Sequence, residues 1–113
     1  MPGRLSHPRS ARLLKGTEFK TVFDQRRVIA NDLFRIHYAD SAEPRLGMAI
    51  SKRVSPRAVA RNRIRRQIRE SFRLIRPRLV PMNFVVLAKP TAAHADSIRL
   101  RQSLNQLWQR FTG

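Results

Sequence analysis

Residues 52–78 constrain the fold more than any other part of this 113-residue chain, because they combine dense positive charge with a regular apolar pattern. Eleven of these residues are basic and only one, Glu70, is acidic. The apolar residues recur at every fourth position, which predicts a helix with a buried stripe and a basic exposed face. The stripe holds Ala60, Ile64, Gln67, Ile68, Ser71, Phe72, Leu74 and Ile75, and the opposite face holds Asn62, Arg65, Arg66, Arg69, Arg73 and Arg76.

Local signals limit this helix at both ends. Ser55 is a residue type that caps helices, and Pro56 suits the first helical position, where no backbone N–H is needed. The Arg76-Pro77 step disfavours continuation, since the residue before a proline avoids helical geometry. A helix of about twenty residues would be roughly 30 Å long. We therefore expect the arginines to be mounted on a rigid rod.

The overall charge points to a polyanionic partner. The chain has 24 Lys and Arg against 7 Asp and Glu, a formal net charge of +17. Such an excess favours nucleic acid first and an anionic membrane surface second. Only four of the 24 are lysine, and arginine grips phosphate with a planar, bidentate fork. A GC-rich coding sequence explains the arginine preference equally well.

Several classes of protein find no support in the composition. The chain has no cysteine, which removes disulfides and thiolate metal sites and suits a reducing compartment. No apolar run approaches the ~20 residues needed to cross a bilayer. A cytoplasmic location is the expectation, although the basic, acid-poor N-terminus leaves a transit peptide open. Hydrophobic residues make up 42% of the chain, too many for complete disorder.

The remaining patterns complete one α+β domain, residues 1–113, in the order αβββαβα. Residues 1–12 read as a mobile basic arm. The strand 83–88 is apolar throughout, as in a central strand covered on both faces, and with 46–52 and the long helix it forms a βαβ unit. We expect a compact α-β sandwich with the two strands parallel. The other elements are a short helix from Thr17-Glu18, strands at 28–29 and 34–38, and a last helix capped by Asp96 or Ser97.

Protein-based catalysis finds little support in the chain. The seven acidic residues are scattered, the three histidines lack cysteine partners, and no glycine-rich phosphate loop or GxSxG motif occurs. Glu70 is most simply a counter-charge to Arg66 and Arg73 on the same helix. We expect no catalytic residue, no protein-held metal and no small-molecule substrate.

Some side chains admit two interpretations. Helical spacing favours a core position for Phe19 and Phe23, with base stacking as the alternative. His37 lies beside Arg35 on the polar face of its strand, where it can contact a nucleotide or remain a surface histidine. Arg61 lies at the edge of the apolar stripe, where its stem can be buried while the guanidinium reaches outward. Asn62 can bond RNA or its own backbone, and Trp108 belongs to the packed stripe of the last helix.

These residues resemble the protein subunit of bacterial ribonuclease P. The hallmark is an Arg-Asn-Arg segment in a long basic helix, here Arg61-Asn62-Arg63, followed by 69–73, RESFR. Ser51-Lys52-Arg53, the aromatics Phe19 and Phe23, and the strand 84–90 match weaker features of the family. The resemblance covers roughly residues 12–110. Arg65-Arg66 stands where Lys-Arg is common, and His37 where an aromatic residue is common.

The resemblance implies a fold and a function. The fold is a sandwich like the second domain of a ribosomal small-subunit protein, with the basic helix in a left-handed βαβ crossover. The function is removal of the 5′ leader from precursor tRNA, with ribonuclease P RNA and Mg²⁺ doing the chemistry. The RNA-binding residues implied are Lys52, Arg53, Arg61, Asn62, Arg63, Arg65, Arg66, Arg69 and Arg73. The leader-binding residues implied are Phe19, Phe23, Arg35, His37 and Ser51.

Three alternatives stand beside this hypothesis. A ribosomal-type RNA-binding module would share the charge and the fold but would need no cleft for a leader. A protein-only nuclease would require cleavage of the precursor by this chain alone. A membrane-active cationic helix would take anionic lipid as its partner.

Overall fold

A computed structural model describes residues 14–113 and confirms the predicted order αβββαβα in this range. The proposed arm, residues 1–12, lies outside the described residues. Three short 3₁₀ turns follow the long helix, the last strand and the last helix, at Arg76–Arg78, Pro90–His94 and Gln109–Phe111. The regular elements are α1 (Gly16–Asp24), β1 (Val28–Ala30), β2 (Phe34–Asp40), β3 (Arg45–Ala49), α2 (Ala58–Ile75), β4 (Met82–Ala88) and α3 (Ser97–Trp108).

The four strands form one sheet in the order β1-β2-β4-β3. β2 pairs antiparallel with β1 and with β4, whereas β3 and β4 are parallel, as the βαβ pattern predicts. β4 is thus the inner strand between β2 and β3, which explains why Phe84, Val85 and Val86 are all fully buried. The sequence prediction of a central strand covered on both faces is confirmed.

Helices α2 and α3 cover one face of the sheet and enclose the main core. Ile64, Ile68 and Phe72 of α2 meet the sheet and α3 in one cluster of buried side chains. Trp108 is fully buried against the rings of Phe72 and Phe84, with centroid distances of 5.7 and 5.3 Å. Both predicted apolar stripes are therefore core-facing, except that Leu74 is 55% exposed.

Helix α1 covers part of the opposite face and forms a second, smaller core. Leu14, Val22, Ala39 and Val85 are its buried residues, and Phe19 packs against them. Phe19 lies over Gly47, where an added Cβ would stand 2.6 Å from the ring's Cζ. The small residue in β3 is thus what lets α1 approach the sheet closely.

The two capping predictions have different outcomes. Asp96 caps α3, because its Oδ1 accepts the backbone N–H of Arg99 at 2.8 Å. The prediction that Ser55 caps α2 is wrong, since the helix begins at Ala58 and its N-cap, Arg57, makes no side-chain cap bond. Ser55 instead accepts the N–H of Arg57 at 3.2 Å in the preceding turn. The Ser55 hydroxyl is thus used in a local turn that precedes the helix, and it is not available to cap the first turn of α2.

Candidate RNA-binding surface

The outer side of α2 presents positive charge to solvent. Asn62, Arg66 and Arg69 are exposed on this helix, and Lys52 and Arg53 are exposed in the loop before it. We call these five residues the basic surface. Neither the Arg66 nor the Arg69 side chain forms a hydrogen bond or ion pair with another described residue. Because their charges are held on a helix packed by its other side, they are presented in a fixed array.

Two of the predicted RNA-binding arginines turn towards the protein. Arg61 donates from Nη1 to the carbonyl oxygen of Ser55 at 2.9 Å. Arg63 donates from Nη2 to the carbonyl oxygens of Ala93 and Ala95 at 3.2 and 3.4 Å. Both side chains are half-buried. These arginines brace the loops around the start of α2, and their contact with RNA stays a prediction.

Arg65 and Arg73 are each engaged with a neighbour on α2 yet remain partly exposed. Arg65 donates to Oδ1 of Asn62 at 3.1 Å. Arg73 pairs with Glu70, Nη2 to Oε1 at 2.9 Å, which confirms the predicted counter-charge for Arg73 but not for Arg66. The Arg73 hydrogen bond lowers the pKa of Glu70 and raises the pKa of Arg73 itself. Glu70 therefore offsets part of the positive field at this end of the helix.

Arg76 does not belong to the exposed face on which the helical wheel places it. It follows the last α-helical residue, where the chain tightens into the 3₁₀ turn Arg76–Arg78. Its Nε donates to the carbonyl oxygen of Pro44 at 3.0 Å, and its Nη2 lies 3.9 Å from Glu43. The change of helical pitch redirects this side chain, so that it ties the end of α2 to the β2–β3 turn.

The second candidate surface lies on the sheet face that α1 covers only in part. The strand register aligns Ala30, Arg35, Leu87 and Ala49 in one row across the four strands. Ala30, Arg35 and Ala49 are exposed, and Leu87 is half-buried. The row beside it, which contains Val85 and Gly47, is covered by α1. We call the row of Ala30, Arg35, Leu87 and Ala49 the open row, and the sheet surface between this row and α1 the cleft.

The two aromatic residues of α1 occupy different positions relative to the cleft. Phe19 is half-buried against Leu14 and Gly47, which confirms its predicted packing role. The same expectation is wrong for Phe23, whose side chain is 36% exposed. The Phe23 ring meets His37 edge-on, with a centroid distance of 4.8 Å and an interplanar angle of 73°. Phe23 thus stands at the wall of the cleft.

His37 is held in a way that favours its neutral form. Its Nδ1 atom is buried and has no hydrogen-bond partner among the described residues. Burial, with a smaller contribution from the charge of Arg35, lowers the pKa of His37 below its ordinary value. At neutral pH the imidazole therefore presents an apolar ring face with one acceptor nitrogen rather than a cation.

The cleft gathers most of the predicted leader-binding residues. Arg35 and His37 share the open sheet face with Phe23, and Ser51 is exposed just beyond the end of β3, at the same end of the sheet as Arg35. The Phe19 side chain instead lies between α1 and the sheet, against Gly47. The sequence missed Glu18 and Arg45, which join α1 to β3 through paired hydrogen bonds of 2.5 and 2.9 Å. The one feature of the sequence that pointed to this contact was an acidic residue, Glu18, in the first turn of the predicted helix.

The described residues contain neither a cluster of metal ligands nor a membrane-spanning helix. Within residues 14–113, no three or more acidic, histidine or cysteine side chains form a group that could hold a metal ion. No helix in that range has the length and apolar character needed to cross a membrane.

Comparison with known proteins agrees with this geometry. The family model described as Ribonuclease P matches residues 7–112. The ribonuclease P protein component of Thioalkalivibrio sulfidiphilus (strain HL-EbGR7) is 41% identical over 109 residues, which cover 93% of this chain and 89% of that protein. The structure of Staphylococcus aureus RNase P protein aligns with a TM-score of 0.82 at 25% identity, over 88% of this chain and 94% of that chain.

The structure of the RNase P protein from Thermotoga maritima supports the fold alone, with a TM-score of 0.78 at 23% identity over 90% of this chain and 98% of that one. The family match extends over nearly the whole chain, and the 41% identity is spread over a similar length. This chain therefore belongs to the ribonuclease P protein family, the protein components of an endoribonuclease that processes transfer RNA.

Proposed function

We propose that the basic surface of α2 docks ribonuclease P RNA. The observation that carries this proposal is the pair Arg66 and Arg69, which are exposed and unpaired among the described residues on a helix packed by its opposite side. Unpaired guanidinium groups in a fixed array can grip phosphates without first breaking internal ion pairs. Lys52 and Arg53 extend the same charge beyond the start of the helix.

We propose further that the cleft holds the single-stranded 5′ leader of precursor tRNA. Phe23 and the neutral ring of His37 offer surfaces on which bases can stack, Arg35 offers charge for a phosphate, and Ser51 offers a hydroxyl. Stacking and backbone charge do not require one base sequence. A cleft of this kind therefore suits leaders of different sequences, with Phe19 supporting it from below.

In this proposal the chemistry belongs to the RNA. Mg²⁺ bound by ribonuclease P RNA supplies the activation of water and the stabilisation of the leaving group. Within residues 14–113, no group of three or more acidic, histidine or cysteine side chains could hold a metal ion, and no step is assigned to the carboxylates. The chain contributes affinity and orientation, through the basic surface for the RNA subunit and the cleft for the leader.

Binding by the reconstituted ribonucleoprotein tests the leader proposal. We expect the complex to bind precursor tRNA more tightly than the same tRNA without its leader, and Arg35→Gln to reduce this preference. Arg110→Gln is the matched control, because Arg110 is exposed in the 3₁₀ turn Gln109–Phe111, away from the open row. Equal binding of the two tRNAs would contradict the leader proposal and favour a ribosomal-type RNA-binding module.

A further inference from the structure

The N-terminal end of α1 is fastened to the sheet by polar contacts of side chains and backbone. Glu18 accepts two hydrogen bonds from Arg45 of β3, Oε2 to Nη1 at 2.5 Å and Oε1 to Nη2 at 2.9 Å. Just before the helix, the N–H of Leu14 donates to the carbonyl oxygen of Leu46 at 3.0 Å. The N-terminal end of α1 is therefore tied to β3 through both side chains and backbone.

The C-terminal half of α1 is held mainly by apolar packing, because Val22 is fully buried against Ala39 and Val85. Phe23 meets His37 only through a ring edge. The ion pair between Lys20 and Asp24 runs along the helix, with side chains 81% and 62% exposed, and does not reach the sheet. Beyond this end, Arg26 adopts a positive φ of 56°. The polar contacts that orient α1 over the sheet thus lie in its first turn.

The contact between Glu18 and Arg45 has the features of an orienting interaction. Both side chains are partly buried, 29% and 18% exposed, so solvent screens them less than a surface pair. The geometry is bidentate, which fixes a direction as well as a distance. Hydrogen bonds from Arg45 and from the backbone N–H of Lys15 lower the pKa of Glu18, so the carboxylate stays ionised at neutral pH.

The same carboxylate links this contact to the helix itself. Glu18 Oε1 accepts the N–H of Lys15, the N-cap residue, at 2.7 Å. The first turn of α1 and its attachment to β3 are therefore stabilised by one group. Next to this attachment, Phe19 rests on Gly47 with no space for a further atom. We therefore expect a change in the Glu18–Arg45 contact to alter the angle between α1 and the sheet.

We propose that Glu18 and Arg45 are positioning residues that fix the tilt of α1 over the sheet and thereby set the width of the cleft. The cleft's assignment to the leader rests on the proposed function above. The tilt itself is a property of the free protein and can be measured without RNA. The two experiments below therefore separate a failure of this inference from a failure of the leader proposal.

The first experiment measures the tilt directly. The chain has no cysteine, so Thr21→Cys on α1 and Ile98→Cys on α3, both at exposed positions, accept spin labels selectively. We expect one narrow distance distribution in the parent and a broader or shifted one in Glu18→Gln and in the milder variant Arg45→Lys. Asp24→Asn, which removes only the exposed ion pair, should leave the distribution unchanged.

The second experiment measures leader discrimination by the reconstituted complex. Glu18→Gln should reduce the affinity ratio of leader-bearing to leaderless tRNA by roughly threefold to tenfold, a coupling of the size seen between contacting residues. Affinity for ribonuclease P RNA should not change, because the basic surface lies on α2. The exchanged pair Glu18→Arg with Arg45→Glu should recover part of the lost ratio, whereas each of these single changes should not.

The outcomes divide clearly. A broadened distance distribution with a reduced tRNA ratio supports the inference. An unchanged distribution in folded Glu18→Gln and Arg45→Lys overturns it. A broadened distance distribution with an unchanged tRNA affinity ratio would support the role of Glu18 and Arg45 in fixing the tilt of α1, and it would contradict the leader proposal. Glu18→Gln could instead lose affinity for the RNA subunit together with stability, and the exchanged pair could fail to recover the tRNA ratio. That result would show that the contact only stabilises the fold, and it would also overturn the inference.

Discussion

The indole Nε1–H of Trp108 donates to the hydroxyl oxygen of Ser71 at 3.0 Å, joining α3 to α2 in the middle of the core. Trp108 is fully buried and Ser71 is 2% exposed. The Ser71 hydroxyl in turn donates to the carbonyl oxygen of Ile68 at 3.0 Å. This buried hydrogen bond therefore helps to hold α2 against the core, on the side of the helix opposite to the basic surface.

Ser71→Ala should destabilise the protein by about 1–3 kcal/mol, because it leaves a buried indole N–H without a partner. Urea unfolding at neutral pH measures this loss. Ser103→Ala is the matched control, since Ser103 is 5% exposed on α3 but its hydroxyl has no partner among the described residues. Equal losses in the two variants would show that the Trp108 hydrogen bond contributes nothing particular.

Gly47→Ala should lift α1 from the sheet. The new Cβ would lie 2.6 Å from Phe19 Cζ and 3.1 Å from Leu14 Cδ1, and such overpacking costs about 1–3 kcal/mol. Unfolding by urea should show this loss, and Phe19→Leu in the same chain should recover part of it. Gly16→Ala, where no atom lies within 4 Å of the added Cβ, should instead stabilise the protein by up to about 1 kcal/mol.

The titration of His37 should make stability depend on pH. Burial lowers the pKa of His37 in the folded protein, whereas the unfolded chain has an ordinary value of about 6.5. As the pH falls below about 6.5, the unfolded chain takes up this proton first, so stability is lost from there down to the folded pKa. Unfolding free energies measured between pH 7.5 and 5.5 should fall more in the parent than in His37→Gln. Parallel curves would contradict the prediction.

The arginines of α2 should fall into two groups in RNA binding. Arg66→Gln should reduce the magnitude of the log–log salt slope for ribonuclease P RNA by roughly 0.7–0.9, one phosphate contact, with little change in protein stability. Arg63→Gln should mainly lower stability, since it removes bonds to Ala93 and Ala95. Salt-dependent binding and urea unfolding of both variants check this division. The reverse pattern would mean that the exposed face of α2 is not the RNA contact.

The fold was largely predictable because its signals are local. The period of the apolar residues in 58–75 and the alternation in 34–38 gave the elements, and the βαβ order gave the parallel pairing of β3 with β4. The start of α2 was not predictable from Ser55 and Pro56, because two residues of turn precede the helix. Arg76 was misplaced because a helical wheel assumes constant pitch.

The candidate site was predictable only in part. Charge density identified α2, and strand alternation placed Arg35 with His37. The sequence could not show that Arg61 and Arg63 donate to backbone carbonyl oxygens. Their acceptors, in Ser55, Ala93 and Ala95, come within reach only in the folded chain. The contact between Glu18 and Arg45 was missed for the same reason, since it joins residues far apart in sequence.

The most direct measurement is reconstitution with ribonuclease P RNA at low Mg²⁺, scoring removal of the 5′ leader from precursor tRNA. The account predicts cleavage when RNA and protein are combined, a weaker reaction with Arg66→Glu and Arg69→Glu together, and none from the protein alone. Robust cleavage by the protein without RNA, or identical cleavage with and without the protein, would contradict it.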